Sequence, residues 1–120
     1  MTGSGLGGPE HKSLEHALII VRQAFKTECF LVGSALESDE YRDVDVRVIL
    51  DDEQFNEIFG GSVPYGVNPL WSLVTTAISE YLCKRTGLPV DFQIQRRSDV
   101  KESDWEKPRD PMALYVPPKG

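Results

Sequence analysis

The sequence predicts an α/β (α+β) fold: a small mixed sheet with helices packed on one face. Three observations point there. Asp43 to Leu50 and Val90 to Gln95 alternate strictly, with Val44, Val46, Val48, Val90, Phe92 and Ile94 on one parity and polar residues mostly on the other. Successive strand side chains point to opposite faces, so such segments are buried on one side. Two further stretches, around Leu14–Phe25 and Leu70–Leu82, repeat apolar residues at helical spacing. A length of 120 residues supports a single core and not two.

Taken in order, Met1 to Pro9 is Gly-rich and predicts an irregular arm over residues 1–12. Gly3, Gly5 and Gly8 fit a G-x-G-x-x-G spacing, but no strand precedes it and Pro9 follows, so it is not a dinucleotide-binding turn. The predicted core spans residues 13–97. Ser13 is a suitable N-cap for a helix from about Leu14 to Lys26. His11 and His16 have no partner at metal-ligand spacing and are expected on the surface. Cys29 to Val32 reads as a short buried strand ended by Gly33-Ser34. Asp43 to Leu50 is the second strand.

Asp51-Asp52 suits a helix N-terminus, followed by a short helix to Phe59 carrying Phe55, Ile58 and Phe59. Gly60 to Asn68, with its glycines and Pro64, reads as a loop. Pro69 fits a first helical turn and Gly87 a C-cap, with Lys84 and Arg85 in the last turn. The stripe Leu70, Leu73, Val74, Ala77, Ile78, Tyr81 and Leu82 is expected to cover the sheet. Val90 to Gln95 is the third strand. Residues 98–120 are Pro-rich and carry Trp105, Met112, Leu114, Tyr115 and Val116, an extension expected to pack on the core.

Composition narrows the function classes. A formal charge of −6 disfavours non-specific binding to nucleic acid, which needs clustered cations. Clustered carboxylates in an acidic chain suit a hard divalent cation. No apolar run approaches the ~20 residues that span a bilayer. The N-terminus lacks the plan of a signal peptide, which makes the expected location cytoplasmic. Cys29 and Cys83 sit in apolar surroundings and are expected as buried thiols.

The chemistry concentrates in Phe30 to Leu50 (FLVGSALESDEYRDVDVRVIL) and in Val90 to Ile94. Asp43 and Asp45 share one strand face, roughly 6.5–7 Å apart at the base. A third carboxylate from a neighbouring strand, Asp91, would complete oxygen ligands for one or two magnesium ions. Gly33 at a strand end permits close backbone approach to a ligand, and Ser34 with following N–H groups can hold phosphate oxygens. Arg47 shares the parity of the aspartates, and Arg42 lies just before them. Alternating Asp and Val also describes any half-solvated strand, so the function depends on whether the three carboxylates meet.

Val32-Gly33-Ser34, a spacer, Asp43-Val44-Asp45-Val46 and then Asp91 resembles the signature of the nucleotidyltransferase superfamily, the DNA polymerase beta-like fold, and in size the minimal nucleotidyltransferases. The resemblance covers about Leu14 to Gln95. It implies that Asp43, Asp45 and Asp91 bind two magnesium ions and that Gly33 and Ser34 hold the triphosphate of ATP or another NTP. It further implies transfer of a nucleoside monophosphate to a hydroxyl of a protein or small molecule. The spacer is short and carries Leu36-Glu37-Ser38 in place of the glycine and basic residue usual there, a gap that Arg42 or Arg47 could fill. The alternative is a catalytically silent member of the fold acting as an antitoxin-like binding or regulatory partner.

Overall fold

The computed structural model describes residues 7–32, 43–61, 68–100 and, for the backbone alone, 110–111. Three helices and a mixed sheet build it. The order is α1 (Gly8–Phe25), β1 (Cys29–Val32), β2 (Val44–Leu50), α2 (Asp52–Phe59), α3 (Pro69–Thr86), β3 (Val90–Arg96), a 3-10 turn (Arg97–Asp99) and β4 (Asp110–Pro111). The sheet runs β3-β2-β1-β4. β1 is antiparallel to β2 and to β4, and β2 is parallel to β3. A parallel pair needs a long crossover, here α2 and α3.

The two alternating strands bury the expected parity. Val44, Val46, Val48 and Leu50 of β2 and Val90, Phe92 and Ile94 of β3 join Cys29 and Leu31 of β1 in the core. From the helices come Leu14, Ala17, Leu18, Val21, Phe55, Phe59 and Leu82. Burial pushes the Cys29 thiol up to about 12, so it stays neutral; Cys83 is only half-buried.

The caps follow their residues. Asp51 precedes α2, and its Oδ1 accepts from the Gln54 amide at 2.8 Å. Asn68 does the same for α3, accepting from the Trp71 amide at 3.0 Å while its own amide donates to the Phe59 carbonyl. Gly87 ends α3 at φ 73°, the left-handed region where glycine meets no steric penalty.

Three expectations need correction. α1 begins at Gly8, with Pro9 in its first turn and Gly7 at the N-cap, so Ser13 lies inside the helix and not at its cap. A proline is tolerated there because the first N–H groups have no helical acceptor to lose. His11 is buried and not on the surface: its Nδ1 lies 2.9 Å from Glu15 Oε1 one turn along. The third correction concerns α3. Leu70, Leu73 and Tyr81 are exposed, whereas Thr75 and Leu82 are buried and Trp71, Val74, Ile78 and Cys83 pack against the core. Ile58 of α2 is likewise exposed.

The reason for the rotation of α3 lies at the free edge of the sheet. Alternate residues of a strand turn both backbone groups to the same side. Val90, Phe92 and Ile94 turn theirs away from β2, toward α3. The Cys83 thiol accepts from the Val90 amide at 3.3 Å and donates to its carbonyl at 3.4 Å. The Ser79 hydroxyl accepts from the Phe92 amide at 2.9 Å and donates to its carbonyl at 3.3 Å. The Trp71 indole donates to the Ile94 carbonyl at 2.7 Å. One helix flank thus stands in for a missing strand. Satisfying buried backbone groups outweighs burying Leu70 or Leu73, because an orphaned donor costs about 1–3 kcal/mol.

Candidate functional site

The outward parity of β2 and β3 forms a polar face beside the hydrophobic core. The parallel register places Asp45 directly beside Asp91 and Arg47 beside Gln93. Asp43 immediately precedes β2 on the same parity as Asp45 and is exposed. The expected pairing of Asp45 with Asp91 is therefore a backbone fact, fixed by the crossover and the valine alternation.

Arg47 organises this face. Its Nη2 lies 3.8 Å from Asp45 Oδ1 and 3.6 Å from Asp91 Oδ2. Its Nη1 donates to the Val46 carbonyl at 3.0 Å and to the Asp91 carbonyl at 2.9 Å. Two backbone bonds fix the guanidinium, so its position does not depend on the carboxylates. The Asp45 carboxyl is raised from its ordinary value: burial raises it most, Arg47 opposes, and Asp91 and Asp43 add to the rise. Negative charge thus accumulates at this end of the strands, and Arg47 offsets only part of it.

The oxygen-only donor set of Asp43, Asp45 and Asp91 fits a hard divalent cation such as magnesium. Among the described residues, no three His, Cys, Asp or Glu side chains are already gathered to hold a metal ion. Asp45 and Asp91 turn instead to Arg47. Gly33, Ser34 and Arg42 lie outside the described residues, as does Tyr65 in the glycine-rich loop. Among the described residues no helix is long and apolar enough to cross a membrane.

A groove adjoins this face. It lies between α3 and β3, with a volume of about 400 Å³, and Asp91 and Gln93 belong to its wall together with Trp71, Thr76, Ser79 and Glu80 of α3. Hydrophobic periodicity does not mark it. Trp71, Thr75, Ser79 and Cys83 recur every fourth residue along α3, a row of hydrogen-bonding groups that identifies the flank lying against β3. Comparison with protein-family models, with curated proteins and with solved structures finds no match for the chain.

Proposed function

We propose that the protein is a magnesium-dependent nucleotidyltransferase of minimal type. It would move a nucleoside monophosphate from ATP or another NTP to a hydroxyl acceptor. The observation supporting this most is the parallel register that sets Asp45 beside Asp91, with Asp43 on the same parity. Magnesium held by Asp43, Asp45 and Asp91 would supply electrophilic activation of the phosphates.

The chain's own residues account for the rest. Asp91 keeps 44% of its side chain exposed, which leaves it open to take the proton of an acceptor hydroxyl. The hydroxyl oxygen attacks the α-phosphorus, the bond to the β-phosphate breaks, and pyrophosphate leaves with that electron pair. Arg47, fixed by its two carbonyl bonds, keeps Nη2 available for a phosphate oxygen once the carboxylates turn to a cation. Gly33 and Ser34 would hold the β- and γ-phosphates, with Arg42 nearby.

Titration of magnesium and a non-hydrolysable NTP in a calorimeter tests the reading. Metal-dependent binding is expected for the wild type and none for Asp45→Asn. A wild type that binds no nucleotide in the presence of magnesium sinks the proposal. One observation favours the silent alternative, a binding or regulatory partner: Arg47 already serves both Asp45 and Asp91. Magnesium-dependent transfer of labelled nucleotide to any acceptor refutes silence.

A further inference from the structure

The groove between α3 and β3 has a chemistry of its own. Glu80 stands on its helix wall and Asp91 on its strand wall. Ser72 and Thr76 add exposed hydroxyls, Gln93 an amide, and Trp71 an apolar surface. Among the described residues no Lys, Arg or His lines it. The nearest organised cation, Arg47, is turned to the carbonyl of Asp91 and to the carboxylates on the β2 side.

A volume of about 400 Å³ lies within the range of small-molecule sites. Two facing carboxylates repel a phosphorylated ligand and attract an ammonium group. Hydroxyls and an amide suit a ligand rich in hydroxyl groups, and the Trp71 ring offers a face on which a cation or a ring can rest. We propose that this groove binds an amine-bearing, polyhydroxylated small molecule, and that it does so without metal or nucleotide. Because Asp91 belongs to both the groove and the polar face, such a ligand places a hydroxyl beside the residue that would accept its proton. That last step, the ligand as acceptor, rests on the nucleotidyl-transfer reading; the binding itself does not.

The test uses the whole chain with neither magnesium nor nucleotide present. Glucosamine is titrated while the backbone amide resonances of Thr76, Glu80 and Gln93 are followed, with glucose 6-phosphate as the anionic counterpart. Glucosamine is expected to shift these amides saturably, and glucose 6-phosphate to leave them in place. Glu80→Lys, a change on an exposed helix face, should weaken the midpoint about fivefold or more. Thr76→Trp, which fills the groove from another exposed position, should abolish the shifts with the remaining spectrum unchanged. Unmoved amides, equal shifts with glucose 6-phosphate, or a midpoint insensitive to Glu80→Lys overturn the proposal. If the wild type fails to bind magnesium–nucleotide while glucosamine still titrates, nucleotidyl transfer fails and the groove stands. The converse result removes the groove alone.

Discussion

α1 and α3 are each 18 residues long and both pack beside the same sheet, yet they are held by different chemistry. α1 buries Leu14, Ala17, Leu18 and Val21, one apolar face against a hydrophobic core. α3 buries only Thr75 and Leu82 fully and leaves Leu73 67% exposed. What holds it is a flank of Trp71, Ser79 and Cys83 bonded to the backbone of β3. The difference follows from position. α1 covers a face, where side chains meet side chains. α3 covers an edge, where the unmet groups are amides and carbonyls, and only side chains with donors and acceptors can serve them.

Truncating the apolar residues breaks this comparison most directly. Leu18→Ala opens a cavity under α1 and is expected to cost about 2–5 kcal/mol in a denaturant unfolding curve. Leu73→Ala, the same change on the exposed side of α3, should stay within about 0.5 kcal/mol. If Leu73→Ala costs as much as Leu18→Ala, α3 is packed by its leucines and its described orientation is wrong.

The polar flank gives the next largest effect. Ser79→Ala removes the group that both accepts from and donates to the buried Phe92 backbone. The loss should be about 1–3 kcal/mol, because amide and carbonyl are orphaned together. Ser72→Ala, on the same helix at an exposed position, should be nearly neutral. Hydrogen exchange gives a second readout: the Phe92 amide should lose protection in Ser79→Ala while the Val21 amide in α1 keeps its own.

The same contrast explains what could be read from the sequence. The face-covering parts were legible. The alternation in β2 and β3, the Asp51 cap, Pro69 and Gly87 each carry a local signal with one physical meaning, and they set the elements and the inward parity correctly. The orientation of α3 was not legible from hydrophobic period, since Leu70, Leu73 and Tyr81 form an apolar stripe that faces away from the core. The start of α1 was missed because a Gly-Pro pair was read as an arm, although proline also opens helices. The burial of His11 and Glu15, which answer each other across one turn, carried no sign in the pattern. At the site, parity put Asp43, Asp45 and Arg47 on one face. The juxtaposition of Asp45 with Asp91 needed the parallel pairing and its register, and no local residue specifies these. The part Arg47 plays, fixed by carbonyls on two strands, was likewise a property of the assembled sheet.

The smallest effect distinguishes the two parities of β2. Its inward valines stabilise by burial at every pH; its outward Asp45 is half-buried and carries a charge. Burial lifts the Asp45 carboxyl above its ordinary 3.8, with Arg47 opposing and Asp91 and Asp43 adding. A carboxyl held above its unfolded-state value binds its proton more tightly in the folded protein, so stability falls as pH rises through the interval between the two values. Below the ordinary value both states are protonated and the penalty vanishes; above the raised value it is complete and constant. Asp45→Asn removes that penalty and also the contact with Arg47 at 3.8 Å, which is worth about 0–1 kcal/mol. The advantage of the variant over wild type should therefore grow from about pH 4 to pH 7, read as the difference in urea midpoints. A difference that stays constant across that range would mean that Asp45 titrates alike in the folded and unfolded chains. It would also mean that the three carboxylates do not share the field from which a site for a cation is inferred.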